Sequence, residues 1–223
     1  TIRCTGAPRL RQLGTFEIDM IPIVSSITKY AACVTDPSTT RFHLEKAYYL
    51  ALSGRPGPVY LEFPVDVQGA RIVPQELKGF DETTADGFSE CKEDALTEAL
   101  KKLSTAKRPL ILAGHGVRCA KRSEQLRAFA EKHNIPVVTT SLALDSMSSE
   151  HPLYVGHPGT KGDRAGNLAV QTADVILVLG SSLRAQVTGY ELNKFAPQAY
   201  KIHVDPELRV LETTQLGIQE KIQ

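Results

Sequence analysis

Two kinds of hydrophobic pattern alternate along the chain. Residues 93–103 place apolar side chains at 95, 96, 99, 100 and 103, the spacing of one helix face. Residues 109–113 and 175–179 are instead short, almost uniformly apolar runs. A strand that is apolar at every position is buried on both sides, as in a parallel sheet covered by helices. Further strands are predicted at 135–140 and 201–204, and further helices at 123–133 and 164–172. This alternation predicts an α/β fold for 92–223: a Rossmann-like, doubly wound parallel sheet.

The stretch 1–66 carries fewer elements. A short helix is predicted at 19–28, a strand at 31–35, a helix from Asp36-Pro37-Ser38 through 52, and a strand at 59–63. Phe42, Ala47 and residues 49–52 give that second helix an apolar face, and Gly54-Arg55-Pro56-Gly57 stops it. So few elements leave a sheet with an open edge and little core, so 1–66 reads as the C-terminal part of a second α/β domain. Residues 67–91, with the polar, acidic run 79–87, read as an exposed linker.

Composition narrows the function classes. Hydrophobic residues make up 42% of the 223 and charged residues 23%, enough to fill a core. A net charge of +1 gives no reason to expect nucleic acid or an anionic membrane as partner. The apolar runs are too short to span a bilayer, and no signal segment opens the chain, which fits a soluble cytoplasmic protein. Thr1, where an initiator methionine would stand, is read as a processed or truncated start. Cys4, Cys33, Cys91 and Cys119 are scattered, with no CxxC pair, which argues for free thiols and against zinc. The six histidines form no HExxH or HxxxH pair, and no GxSxG elbow is present. No local nucleophile–base pair appears, and pairing of residues remote in sequence stays open at this point.

Candidate binding chemistry gathers where predicted strands end, because ligands of such sheets sit at the carboxyl edge. Gly114-His115-Gly116 follows the strand at 109–113 and reads either as a phosphate-approaching loop or as a plain tight turn. Gly180-Ser181-Ser182 follows 175–179 and is more often a turn than a site. Asp205 ends 201–204, suited to a ribose hydroxyl or, with Pro206 next, to a turn. The glycine-rich run from Gly156 to Asn167 leads into a helix that Asp163 is expected to cap, with Arg164 as a possible phosphate contact.

Several runs resemble a known family in its own order. Arg11-Gln12-Leu13-Gly14, Ile27-Thr28-Lys29-Tyr30, His43-Leu44-Glu45-Lys46-Ala47 and Ser53-Gly54-Arg55-Pro56-Gly57-Pro58-Val59, followed by Pro64-Val65-Asp66, resemble the end of the pyrimidine-binding domain of thiamine-diphosphate enzymes of the acetolactate-synthase type. His151-Pro152-Leu153, Gly162-Asp163-Arg164-Ala165-Gly166-Asn167, Val187-Thr188-Gly189-Tyr190 and Lys201-Ile202-His203-Val204-Asp205 are similar to the middle domain of the same enzymes.

The resemblance implies a 2-keto acid carboligase or decarboxylase of three α/β domains, a homo-oligomer (dimer or tetramer), with thiamine diphosphate and magnesium held by parts that precede Thr1 or follow Gln223. On that reading this chain alone is inactive. The middle domain would take FAD or ADP, and the positions carried over are Arg55, Gly114, Gly116, Thr140, Ser141, Leu142, Gly156, Gly159, Gly180, Ser182, Gln186 and Asp205. Four positions depart from the family. Ser182 and Gln186 replace arginines of the family, Phe16 replaces a glutamine, and Pro206 shortens a two-aspartate strand end. Two lost charge-assisted contacts at roughly 1.5–3 kcal/mol each would weaken nucleotide binding by orders of magnitude. The departures at Ser182, Gln186 and Phe16 suit an alternative, a non-catalytic nucleotide-binding or scaffolding domain. A decarboxylase whose middle domain binds no nucleotide is a third.

Overall fold

A computed structural model describes residues 18–84, 93–213 and 216–223 of the chain. Phe16, the run Arg11 to Gly14, Cys4, Cys91 and part of the 67–91 linker lie outside the described residues. The chain divides into two units, Thr1–Gly87 and Phe88–Gln223.

In the first unit, α1 (Ile21–Val24) precedes β1 (Tyr30–Cys33), α2 (Thr40–Leu52), β2 (Val59–Glu62) and α3 (Val65–Gly69). β1 and β2 pair in parallel, with α2 as the crossover. Asp36 caps the turn into α2 by accepting from Ser38 N at 2.9 Å. The helix expected over 19–28 shrinks to four residues. Its hydroxyls compete for the carbonyls: Ser25 Oγ donates to Ile21 O and Thr28 Oγ1 to Val24 O. The expected exposed linker is fastened down at 77–80. Phe80 donates its N–H to Glu45 at 2.8 Å and sets its ring against Phe42 and Tyr49, so an aromatic side chain overrides an otherwise polar stretch.

The second unit is a Rossmann-like α/β domain. Its elements are α4 (Glu93–Thr105), β3 (Pro109–Ala113), α5 (His115–Cys119), α6 (Ser123–His133), β4 (Val137–Thr139), β5 (Tyr154–Gly156), α7 (Arg164–Thr172), β6 (Val175–Leu179), α8 (Ala185–Thr188), β7 (Tyr200–Val204), α9 (Leu208–Thr213) and β8 (Glu220–Ile222). All six strands are parallel, in the order β5-β4-β3-β6-β7-β8. Counted along the chain this is the 3-2-1-4-5-6 order of a dinucleotide-binding fold, with its switch point between β3 and β6. β5 and β8, absent from the sequence reading, are its edges.

Alternation within each strand builds two cores. Ile111 and Ala113 face Leu103, Leu126 and Ala130, whereas Leu110 and Leu112 face Val170 and Ala173. Helices therefore cover both faces, as the continuous apolar runs demand. Local chemistry sets the joints. Asn134, in the left-handed region at φ 50°, closes α6. The Asp174 carboxylate accepts from Lys107 N and Arg108 N at 2.8 and 2.9 Å, tying the start of β3 to that of β6.

Candidate functional site

Parallel strands put their C-terminal ends on one edge, so eleven of the twelve candidate positions come to the same side of the second unit. Gly114 and Gly116 follow β3, and Thr140, Ser141 and Leu142 follow β4. Gly156 ends β5, Gly180 and Ser182 follow β6, and Asp205 follows β7. Gln186 sits on α8, and Gly159 lies against it. Arg55 belongs to the first unit, where it is exposed and its carbonyl accepts from Lys29 Nζ at 3.1 Å.

At the switch point the loops after β3 and β6 meet backbone to backbone. Gly114 donates its N–H to Leu179 O and Gly116 to Gly180 O, both at 2.8 Å. Gly180, at φ +59°, donates to Val204 O at 2.9 Å. A Cβ on Gly114 would collide with Gly180 O, and one on Gly116 would lie 2.7 Å from Gly180 Cα. These glycines are required by close approach of chain to chain.

The run from Gly156 to Asn167 is held the same way. Asp163 caps α7 by accepting from Gly166 N at 2.6 Å, and also accepts from His157 N at 2.8 Å. Burial pushes its carboxyl up, but those N–H bonds and the nearby His157 ring outweigh it, so the group sits below the ordinary aspartate range. Asn167 Oδ1 accepts from Gly159 N at 2.9 Å, and Thr160 N donates to Gln186 O at 2.9 Å. The capping role anticipated for Asp163 is what the structure has. Asp163→Ala is expected to cost about 1–3 kcal/mol in urea unfolding. Because the folded pKa is depressed, the contribution of Asp163 is present above its ordinary 3.8 and is lost as pH falls through the lower folded value. The alanine variant should therefore lose less stability than wild type on strong acidification.

Two of the remaining candidates are similarly engaged. Thr140 is buried and donates its N–H to Ala113 O at 2.9 Å. Asp205 accepts from Glu207 N at 3.0 Å in the turn that Pro206 enters, the plainer of its two readings. Ser182 is half-buried, while Ser141, Leu142 and Gln186 are exposed. A cleft of about 220 Å³ opens between the Gly159 loop, α7 and α8, lined by Gly159, Asn167, Gln171, Val187 and Phe195 among others, with no charged side chain.

Three side chains that are not among the twelve candidates shape this edge. His115 Nδ1 donates to Leu142 O at 3.0 Å, and Arg118 pairs with Asp145 at 3.1 Å, both linking the β3 loop to the β4 loop. His203, fully buried, donates from Nε2 to Ser181 O at 2.8 Å. A histidine inside the apolar strand 201–204 is a legible signal of a buried polar role; the two loop-to-loop links have none, because their partners are remote in sequence.

FAD or ADP needs donors for its phosphates. Four of the five candidate glycines (Gly114, Gly116, Gly159 and Gly180) spend their N–H on the chain itself. Ser182 and Gln186 bring no charge. No candidate glycine faces a space that a Cβ would merely fill, since all five meet their own chain. The donor set does not fit a dinucleotide diphosphate.

Among the described residues, no group of three or more His, Cys, Asp or Glu is placed to hold a metal ion, and no helix is long and apolar enough to cross a membrane.

Comparison with known proteins places this architecture. The chain is 37% identical over 212 residues to the acetolactate synthase large subunit of Corynebacterium glutamicum, covering 92% of this chain and 33% of that protein. It is 34% identical to the large subunit of Lactococcus lactis over 201 residues, 90% of this chain and 34% of the relative. Against acetolactate synthase 1, chloroplastic, of Zea mays it is 34% identical over 212 residues, 92% and 32% of the two chains. The chain thus spans about a third of the length of the curated relatives it matches. Residues 96–222 match the model described as thiamine pyrophosphate enzyme, central domain, so the chain belongs to the thiamine pyrophosphate enzyme family.

Proposed function

We propose that this chain forms the end of the pyrimidine-binding-type domain (1–66), a linker (67–91) and the middle domain (92–223) of an acetolactate-synthase-like enzyme. That enzyme is a thiamine-diphosphate- and magnesium-dependent carboligase or decarboxylase of small 2-keto acids, working as a cytoplasmic homo-oligomer. The observation that carries this reading is the relatedness over about nine-tenths of the chain to acetolactate synthase large subunits, across both units. In such an enzyme the carboxylate of the 2-keto acid leaves as CO2 and the remaining carbon fragment is joined to an acceptor carbonyl. Thiamine diphosphate supplies the electron sink for that cleavage. The residues of this chain do not touch the reacting atoms; they hold the domains that do.

The middle domain is structural on this reading, because four of its five rim glycines spend their N–H groups internally. A purely scaffolding protein is the second reading, and the same inward-bonded glycines favour it.

A chimera tests the two readings. This chain replaces the matching third of the Corynebacterium glutamicum acetolactate synthase large subunit, and acetolactate formation from pyruvate is measured with thiamine diphosphate and magnesium. The expected result is measurable acetolactate from the chimera and none from this chain alone. A folded, soluble chimera with no activity would sink the enzymatic reading in favour of the scaffold. CO2 release by the chain alone would overturn the division of labour.

A further inference from the structure

We infer that the carboxyl edge of this sheet is a closed clasp that holds neither FAD nor ADP, although its strand order is that of a dinucleotide-binding domain. The closure has two layers.

The inner layer is backbone. At the switch point, where a diphosphate would enter between the loops after β3 and β6, Gly116 N–H and Gly180 O are bonded to each other at 2.8 Å. Gly114 is buried, and a single added carbon on it would strike Gly180. An anion site needs free N–H groups pointing outwards, and here Gly114, Gly116 and Gly180 all point theirs at carbonyls of the chain. Displacing those bonds would leave Leu179 O, Gly180 O and Val204 O without donors, an exchange that gains a ligand little net hydrogen bonding.

The outer layer is side chain, and it lies over β3 and β4, where the nucleoside half of a dinucleotide would rest in this fold. His115 stands between the two glycines and reaches across to Leu142 O at 3.0 Å. One turn on, Arg118 reaches the same loop through Asp145. Asp205, the carboxylate suited to a ribose, accepts from Glu207 N instead. The cleft beside α7 and α8 offers no alternative for a diphosphate, since nothing charged lines it.

This inference goes beyond the proposed function and is separable from it: the chimera above reads activity, whereas the experiment here reads binding and amide protection in the 223-residue chain itself. The chain is titrated with FAD, followed by flavin fluorescence, and with ADP, followed by the shift in Tm. Amide hydrogen exchange is measured at Gly114, Gly116 and Gly180 in the same preparation. The clasp predicts no saturable quenching, no ADP-dependent rise in Tm up to millimolar nucleotide, and exchange at the three glycines as slow as in β3 and β6. Micromolar FAD binding competed by ADP would overturn it. So would glycine amides that exchange as fast as those of exposed loops, whatever the titration gives. In a His115→Ala, Asp145→Ala double variant the outer layer is removed while the backbone bonds remain, so nucleotide is still expected not to bind. Saturable ADP binding by that variant would overturn the assignment of closure to the backbone.

Discussion

Gly114→Ala is expected to unfold the six-stranded unit or to strip more than ~3 kcal/mol from it, beyond the usual 1–3 kcal/mol of an overpacked core. The added methyl would enter the Gly180 carbonyl and lie 2.5 Å from the Ser181 Cβ, so the obstacle is backbone on one side and a buried residue on the other. No flexible side chain can yield. Relief requires the β6 loop to move away, which breaks the Gly116–Gly180 bond and pulls Ser181 O from His203. Two further glycines calibrate the result. Gly189 faces open space but sits at φ +77° and ψ 178°, a region held almost only by glycine, so Gly189→Ala meets only a conformational cost of ~1–3 kcal/mol. Gly69 has neither a neighbour within 4 Å nor a positive φ, and Gly69→Ala should be neutral or slightly stabilising. Urea unfolding followed by circular dichroism should rank the three with Gly114→Ala far the worst. Near-equal effects at 114 and 189 would remove the close-approach account.

What the sequence made legible follows the range of the forces involved. Pro109–Ala113 and Val175–Leu179 are readable to the residue, because central parallel strands are apolar throughout and end where glycines begin. Ser123–His133 and Arg164–Thr172 are equally plain, the second opened by its aspartate cap. The edge strands are not. Glu220–Ile222 is three residues of which two are charged, and Tyr154–Gly156 ends on a glycine, so each is a strand only because a neighbour pairs with it. Strand order is likewise a matter of long-range pairing that no local pattern records.

The candidate positions show the same division. Their convergence on one edge follows from parallel strands and was foreseeable. Whether a glycine there serves a ligand or another stretch of chain depends on what approaches it, and for Gly114 the approaching group is sixty-six residues away at Gly180. Glycine-rich spacing is identical in the two cases. His115 and Leu142, both at predicted loop positions, gave no sign of their bond, since a histidine side chain and a carbonyl meet without any periodicity.

His203→Ala should cost ~2–5 kcal/mol, the range for emptying a core position, and the pH dependence of stability should change with it. The ring is fully buried on β7, and its Nε2–H bond to Ser181 O fixes the neutral tautomer. Nδ1 is buried and has no hydrogen-bond partner among the described residues. Protonation would add a charge and an N–H with no acceptor in the dry core. Burial accordingly lowers the His203 pKa from 6.5, a push that Lys221 reinforces and that the Ser181 carbonyl and Asp205 only partly offset. The native state then binds fewer protons than the unfolded chain below pH 6.5. Stability is intact above that value and is lost as pH falls towards the folded pKa. His43, in the other unit, is shifted in the same direction by burial and Lys46, so wild type must be compared with a variant rather than with theory. His203→Gln is that variant, since its amide can still donate to Ser181 O but cannot be protonated. Between pH 7 and about 5, wild type should lose more stability than His203→Gln, in a window above that of the depressed carboxylates Asp163 and Asp174. Parallel curves for the two proteins would mean that His203 does not titrate on unfolding and that its hold on the β6 loop is indifferent to acid. A steeper wild-type curve would make this buried histidine the element through which acid loosens the loop that closes the switch point.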